Sequence, residues 1–275
     1  MALFQLPHCS KKKIRMTFFQ IYLFAFVVII AMMTVLWIIS IRIKNVSIVD
    51  IFWGFGFVVA CLVYFLKTEG IEARKIVLLM LVTIWGLRLS IYLAWRNYGK
   101  GEDFRYRKFR KNYGKNHYWW ISFFQTFLFQ GFLLWLISAP LLGAQYNPHD
   151  NKLGIVDFIG VFIWIIGFVF ETGGDIQLAR FKANPANKGK VLNKGFWHYT
   201  RHPNYFGDAA VWCGYGFICI SAGSYIPVFG SILMTILLIK VSGVAMLEKT
   251  LKETKPAYKE YIEKTNAFIP WFPKK

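Results

Sequence analysis

Residues 170–208 (FETGGDIQLARFKANPANKGKVLNKGFWHYTRHPNYFGD) combine the residue types that bind phosphate with those that transfer protons. Arginine and lysine hold phosphate oxygens, whereas carboxyl and phenol groups can act as acids or bases. This polar and aromatic segment lies between two long apolar runs. Lipid tolerates such residues only where protein or water covers them. The segment is therefore a candidate active site at a membrane face.

The second half of the segment, HYTRHPNYFGD, predicts the start of a helix at Pro203. Free N–H groups and the positive dipole end of such a helix suit a phosphate. Asp208 could accept a hydrogen bond from an amide or ribose hydroxyl, or simply pair with Arg201. A capped interfacial helix start without a ligand is the alternative. The candidate binding residues are Arg201, His202, Asn204, Tyr205 and Asp208.

The first half, ETGGDIQLARFKANPANKGK, begins where we expect a membrane span to end, at Glu171. The Gly173–Gly174 pair permits a kink or a close backbone contact. Asp175, Arg180 and Lys182 are expected to extend into a basic loop, where the two cations could hold phosphates. For the lysines further along this loop, Lys188, Lys190 and Lys194, contact with lipid headgroups is the favoured interpretation.

Two charged residues outside the segment are further candidates. Arg88 lies inside an apolar run, and an intramembrane arginine is a functional hypothesis by default, although it can also snorkel to the interface. Asp50, at the start of the preceding apolar run, needs a partner, and Arg88 is the predicted one. A structural ion pair is at least as good an explanation as a catalytic role.

The composition indicates an integral membrane protein. Of 275 residues, 56% are hydrophobic, and several apolar runs reach the ~20 residues that span a bilayer as a helix. We predict an all-α transmembrane bundle of about seven spans, without a metal site, because the four Cys and five His are scattered. The predicted spans are about 17–41, 48–66, 76–95, 120–144, 154–172, 208–223 and 226–247.

The net charge of +19 comes mainly from loops, which favours contact with anionic membrane lipids and cytoplasmic loops over nucleic acid. Lys and Arg are concentrated in the 42–47, 96–119 and 173–207 loops and in the tail from 248. The expected orientation therefore has the N-terminus outside and the C-terminus in the cytoplasm, in a bacterial inner membrane. The lysine cluster at residues 11–13 argues for the opposite orientation.

The segments GDIQLARFK, NKGKVL, GFWHYTRHPNYFGD and FIPWFP resemble the steroid 5-alpha-reductase-like membrane reductases, especially their uncharacterised bacterial branch. The resemblance covers a predicted membrane domain, residues 47–275, and leaves out residues 1–46, the basic N-terminal segment and first helix. It implies NADPH bound near the cytoplasmic side and an apolar substrate that enters from lipid. It places Asp175, Lys182, Asn204, Tyr205 and Asp208 at the nucleotide, flanked by Trp197, Arg201 and His202.

The resemblance predicts reduction of a C=C bond in a steroid, a sterol or another lipid-like substrate. Tyr205 and Glu171 are the candidate catalytic residues, as sources of the proton. A second interpretation is a methyltransferase that uses S-adenosylmethionine. The tail is similar to the isoprenylcysteine carboxyl methyltransferases, with Glu248 and Tyr258 in their Glu-plus-Tyr pattern. A third is a non-enzymatic protein whose basic loops bind lipid headgroups.

Overall fold

The computed structural model describes residues 16–70, 72–147, 152–241 and 258–274. These described residues are about 80% helical and include no β-strand. The predicted all-α class is therefore confirmed for this part of the chain. Glu248, which the methyltransferase interpretation uses, lies outside the described residues.

The helices follow one another with short connections, several of which are 3-10 or π-helical turns. The helices are α1 (Phe18–Ile43), α2 (Ile48–Ile51), α3 (Trp53–Lys67), α4 (Glu72–Asn97), α5 (Phe104–Tyr113), α6 (Lys115–Ser122), α7 (Phe129–Ile137), α8 (Ala139–Tyr146), α9 (Ile155–Ala183), α10 (Phe196–Tyr199), α11 (Pro203–Ser221), α12 (Phe229–Ile236) and α13 (Tyr258–Lys264). A π-helical stretch, Phe123–Leu128, joins α6 to α7, and another, Leu237–Val241, follows α12.

Four of the described helical segments are long and apolar enough to cross a membrane: Phe18–Ile43, Glu72–Asn97, Asn116–Tyr146 and Ile155–Ala183. They coincide with four of the predicted spans. Two shorter apolar helices, Trp53–Lys67 and Ile226–Lys240, match two more, and α11 lies at the remaining one. The chain is thus a membrane-type helical bundle, and its first helix packs into it through stacked Tyr22 and Trp135 rings.

Helix α9 corrects one prediction. We expected the span to end at Glu171 and a basic loop to follow, but the helix continues to Ala183, so that Arg180 and Lys182 lie in its last turn. Loss of hydropathy does not end a helix when the sequence still consists of helix-forming residues. The helix ends where Asn184 precedes Pro185, because a residue before proline disfavours the helical conformation.

Helices α4 and α9 run parallel and in register. Arg74 pairs with Asp157 near their N-terminal ends, at 2.8 Å, and Arg88 pairs with Glu171 fourteen residues further along both helices. Helix α11 runs in the opposite direction, since Ser221 Oγ, at its C-terminal end, donates to Asp157 Oδ2 at 2.7 Å. Polar contacts therefore connect α4, α9 and α11 at both ends of the three helices, and the two sets of contacts are about 21 Å apart along the axis.

Glycines allow α9 and α11 to pack backbone against backbone. Added Cβ atoms at Gly160 and Gly167 of α9 would lie 2.8 Å from Gly214 O and 2.6 Å from Gly207 O of α11. Both glycine pairs are spaced by seven residues, so they recur on one face of each helix. Small residues at such spacing bring membrane helices into close contact. The polar residues of α9 and α11 are thereby held against each other.

Candidate active site

A buried ion-pair cluster joins α4, α9 and α11. Arg88 Nη1 is 2.8 Å from Asp175 Oδ2, and the same guanidinium forms an ion pair with Glu171. Trp85 Nε1 donates to Glu171 Oε2 at 2.8 Å, and Asn204 Nδ2 donates to Asp175 Oδ1 at 3.1 Å. We call these five residues the Arg88 cluster. It unites both halves of the polar segment with the intramembrane arginine.

The partner predicted for Arg88 was wrong. Asp50 instead accepts from Arg105 Nη2 and from Tyr106 Oη, both at 2.7 Å. The short helix α2 places Asp50 at the end of the bundle, where Ser47 Oγ accepts from the backbone N–H of Asp103 at 2.6 Å and so ties α2 to α5. Because α9 continues past the predicted span end, it supplies the two carboxylates that pair with Arg88.

Helix α11 carries a polar-to-aromatic stripe that leads inward from the Arg88 cluster. Asn204, Asp208, Trp212 and Tyr215 lie on one face of the helix. From Asn204 to Asp208, and from Asp208 to Trp212, the position moves inward by about 6 Å along the axis. Phe57, Trp85 and Trp212 pack around the inner end, with ring centroids 4.7–5.8 Å apart. The polar end of the site thus borders an aromatic interior.

Several buried polar atoms around this border have no hydrogen-bond partner among the described residues. They include Asp208 Oδ1 and Arg88 Nε. Asp208 is only 9% exposed, and no lysine or arginine of the described residues lies within ion-pair distance of it. The ion pair with Arg201, one of the two roles considered for Asp208, is therefore not formed.

The start of α11 confirms two predictions from the sequence. Pro203 is the first residue of the helix, and Gly173 and Gly174 allow a close approach. An added Cβ at Gly174 would lie 3.1 Å from the backbone nitrogen of Asn204, and one at Gly173 would overlap the Phe196 ring. A side chain at either glycine would push α11 and α10 away from α9.

Trp197 and Arg201 fix the polar segment to its neighbours. Trp197 Nε1 donates to Gly174 O at 3.1 Å. The Arg201 guanidinium donates to Thr265 O at 2.6 Å and to Ile262 O at 2.9 Å, at the end of α13. The backbone N–H of Arg201 donates to Asn266 O, 2.9 Å away. Arg201, predicted to bind the cofactor, thus holds the C-terminal tail.

The tail, residues 258–274, lies along the polar segment. The Tyr261 hydroxyl donates to Trp197 O, and the Trp271 N–H donates to Tyr199 O at 2.9 Å. Burial, reinforced by the neighbouring Tyr258, raises the pKa of Tyr261, so its hydroxyl remains a proton donor at neutral pH. The sequence left open whether the tail closes over the site or lies on the membrane. The contacts show that it packs against α10 and the start of α11.

The remaining predicted binding residues lie at the edge of the site. Arg180 and Lys182 are exposed and lie beyond the Arg88 cluster on α9. His202 is buried and stacks on Tyr205, with ring centroids 5.7 Å apart. Arg96 and Arg105, from α4 and α5, are close enough for their charges to act on Tyr205. Basic side chains from α4, α5 and α9 therefore lie at the Arg88 end of the bundle.

Trp85 and Trp212 were missed by sequence reasoning. Trp85 lies one turn before Arg88 and Trp212 one turn after Asp208, so each shares a helix face with a predicted polar residue. That spacing was the available signal. Aromatic residues are common in every apolar run of this chain, and so the spacing alone did not distinguish these two.

The four long apolar helices fit an integral membrane protein, and the buried polar cluster is a candidate site at one end of the bundle. Within that class, the chain belongs to DUF1295, a family described as proteins of unknown function, whose model matches residues 36–265. No solved structure was found to match the chain.

Among curated proteins, an uncharacterized protein of Schizosaccharomyces pombe is 26% identical over 260 residues, covering 86% of this chain and 76% of that protein. A Delta(14)-sterol reductase of Methylotuvimicrobium alcaliphilum is 31% identical over 130 residues, 40% of this chain and 29% of the reductase. A probable O-methyltransferase of Ustilaginoidea virens is 33% identical over 73 residues, 26% of each chain.

These relatives support distant homology to sterol reductases. The chain spans less than a third of the length of the bacterial sterol reductase. The narrower likeness to steroid 5-alpha-reductases is not among these matches and stays a prediction. The methyltransferase match covers a much shorter stretch than the match to the yeast protein.

Proposed function

We propose that this protein is an integral membrane reductase that uses NADPH to reduce a C=C bond of a steroid, a sterol or another lipid-like substrate. The observation that carries the proposal is the Arg88 cluster, which lies between the cation-rich end of the bundle and an aromatic interior. Such a site can bind a charged cofactor at one side and an apolar substrate at the other. The sterol reductases among its relatives support the same reaction class.

The residues at the entrance fit a dinucleotide phosphate. In the proposed complex, Arg180 and Lys182 contact phosphates from α9, and the N–H groups at the start of α11 add to that binding. Asp175 accepts hydrogen bonds from hydroxyl or amide groups of the cofactor, and Asn204 donates hydrogen bonds to such groups. Tyr205 and Asp208 lie on the same helix face as Asn204. Trp197, Arg201 and His202 hold the segment in place. The buried Arg88 Nε, which lacks a partner among the described residues, fits a polar ligand group.

Bound NADPH supplies the hydride. The protein orients the double bond against the cofactor, excludes water and stabilises the charge that develops on the substrate. An acid must supply the proton for the second carbon. Tyr205 and Glu171 are the candidates that the sequence suggests. Tyr205 is oriented by its stack on His202, whereas Glu171 is already engaged by Trp85 and Arg88.

We also propose the membrane arrangement expected from the sequence: seven spans in a bacterial inner membrane, with the C-terminus in the cytoplasm. The four long apolar helices and the clustering of basic segments at one end support it. Contacts between Val46 and Glu102, Asp50 and Arg105, and Arg201 and Asn266 bring these basic segments together. A cytosolic cofactor would then reach the site directly.

The proposal is tested by titrating the purified protein with NADPH in detergent, by fluorescence and by calorimetry. Asp175→Asn and Asn204→Ala are expected to weaken binding by about tenfold or more, equivalent to about 1.4 kcal/mol. Asp103→Asn, which removes a carboxylate at the same end but outside the cluster, is the matched control and is expected to bind like the wild type. Unchanged NADPH binding in both cluster variants contradicts the proposed site.

A methyltransferase is the second candidate, favoured by the match to the probable O-methyltransferase. The lipid or prenylated thiol would be methylated instead of reduced, and S-adenosylmethionine would occupy the same end. Competition between the two nucleotides for the purified protein separates the candidates. Binding of S-adenosylmethionine without binding of NADPH would replace the reductase proposal.

A further inference from the structure

The polar site contains more carboxyl groups than cations. Glu171, Asp175 and Asp208 are all buried, and Arg88 is the guanidinium that pairs with the first two. If all three were ionised, two negative charges would remain uncompensated inside the bundle. Removing an unpaired ion from water costs several kcal/mol, and a carboxyl group avoids that cost by keeping a proton.

The backbones of α9 and α11 touch beside two of these carboxyl groups. An added Cβ at Gly207 would lie 2.3 Å from the backbone nitrogen of Glu171, so α11 touches α9 directly beside Asp208. The charges of Glu171, Arg88 and Asp175 all act on Asp208. Because each ionised carboxyl group makes ionisation of the next one costlier, the three groups do not all ionise together.

The hydrogen bonds indicate which group holds the proton. Glu171 accepts a hydrogen bond from Trp85 Nε1 and forms an ion pair with the Arg88 guanidinium. Asp175 accepts hydrogen bonds from Arg88 and from Asn204. Donors of this kind stabilise the ionised carboxylate. Asp208 has one side-chain donor, the Trp212 indole, where each of the other two carboxyl groups has two, and its Oδ1 receives no donor from the described residues. The neutral acid is therefore best accommodated at Asp208.

We infer that Asp208 carries a proton in the resting protein and donates it to the substrate carbon opposite the one that receives hydride. This inference rests on the proposed reductase function. In the reaction, NADPH is oxidised to NADP⁺ as its hydride forms one new C–H bond. The C=C π bond breaks, and the Asp208 O–H bond breaks as the second C–H bond forms. The Asp208 carboxylate then regains a proton from water.

The position of Asp208 suits this role better than that of Tyr205. Asp208 lies one helical turn deeper than Asn204, at the border with the aromatic interior formed by Phe57, Trp85 and Trp212. An apolar double bond would be held at that border. Tyr205 lies nearer the entrance and is stacked on His202.

Infrared spectroscopy of the purified protein tests the proton directly. A protonated carboxylic acid gives a C=O stretch distinct from that of a carboxylate, and we expect this band at neutral pH in the wild type. It should disappear in Asp208→Asn and persist in Asp103→Asn and in Glu171→Gln. Absence of the band in the wild type contradicts the inference without any variant. A band that survives in Asp208→Asn but is lost in Glu171→Gln contradicts it as well.

The donor role is tested by NADPH oxidation with unsaturated sterols and steroids. With NADPH at a saturating concentration, Asp208→Asn should lower the rate of reduction by about 10²–10⁴-fold, the usual contribution of a general acid. Tyr205→Phe is the matched comparison and should reduce activity much less. A larger loss of activity in Tyr205→Phe than in Asp208→Asn overturns the inference about Asp208 and leaves the reductase proposal standing. Wild-type protein that neither binds NADPH nor oxidises it with any such substrate overturns the reductase proposal itself.

Discussion

At the scale of single residues, Arg88 stabilises the site because it is the buried partner of two carboxylates. Its side chain is 16% exposed, and those of Glu171 and Asp175 are 4% and 9% exposed. Little water reaches these charges, so the cluster depends on its internal partners. Breaking a buried ion pair by removing one member leaves the other charge unpaired, which costs more than the pair itself contributes.

Arg88→Gln is therefore expected to destabilise the protein by about 3–5 kcal/mol. Thermal unfolding in detergent, followed by circular dichroism, measures the change. Arg105→Gln is the matched control. Arg105 is 43% exposed in its pairs with Asp50 and Asp103, so its loss should cost at most about 1 kcal/mol. Equal destabilisation by the two substitutions would show that the Arg88 cluster is not a buried ion-pair site.

The motif residues of this site could be predicted from the sequence, but their partners could not. Asn204, Asp208 and Asp175 were identified because polar residues were grouped beside an apolar run. The partner of Arg88 was not, because Glu171 is 83 residues away and no spacing rule relates the two helices. Arg201 was assigned to the cofactor from its position just before the predicted helix start and from the resemblance. The fold places tail carbonyls against it, and its contact with a cofactor stays a prediction.

At the scale of elements, the contact between α9 and α11 positions the site. The two helices meet at Gly167 and Gly207, one turn or less from Glu171 and Asp208. A larger side chain there separates the backbones and moves the carboxyl groups of the two helices apart. Packing and site geometry consequently depend on the same glycines.

Gly207→Ala is expected to cost about 1–3 kcal/mol, the usual range for overpacking, because its Cβ would lie 2.3 Å from the nitrogen of Glu171. It should also weaken NADPH binding. Gly154→Ala serves as the control, since an added Cβ there has no atom closer than 3.8 Å. Thermal unfolding and NADPH titration of both variants provide the test. A Gly207→Ala protein as stable as Gly154→Ala would contradict the close contact.

Helix positions were easier to predict than helix ends. Hydropathy located the apolar stretch of α9 but stopped at Glu171, twelve residues before the helix ends at Ala183. Hydropathy reports where lipid can lie, whereas the end of the helix is set by Asn184 and Pro185. The prediction therefore treated as a loop the part of α9 that carries Asp175, although this part is helical.

At the scale of the whole molecule, the helix directions predict which segments share a compartment. The loop after α4 and the polar segment lie at the Arg88 end, and the loops before α9 and after α11 lie at the Arg74 end. In a cysteine-free background, Lys100→Cys and Lys190→Cys should react with an impermeant thiol reagent from one side of the membrane. Lys152→Cys and Tyr225→Cys should react from the other.

The assay is made on intact cells and on inverted vesicles. The proposed orientation expects the Lys100 and Lys190 positions to react in inverted vesicles only. Reaction of all four cysteines from the same side would contradict the membrane arrangement. Reaction of Lys100→Cys and Lys190→Cys in intact cells would preserve the helix directions but reverse the orientation.

The parallel register of α4 and α9 sets a dimension for the surrounding bilayer. The Arg74–Asp157 and Arg88–Glu171 pairs are fourteen residues apart, about 21 Å along the helices, whereas a hydrocarbon core is about 30 Å thick. At least one pair must therefore lie at the depth of the acyl chains, and tilt only increases that depth. The helices around these pairs, and not the lipid headgroups, must therefore cover the charges that lie within the hydrocarbon.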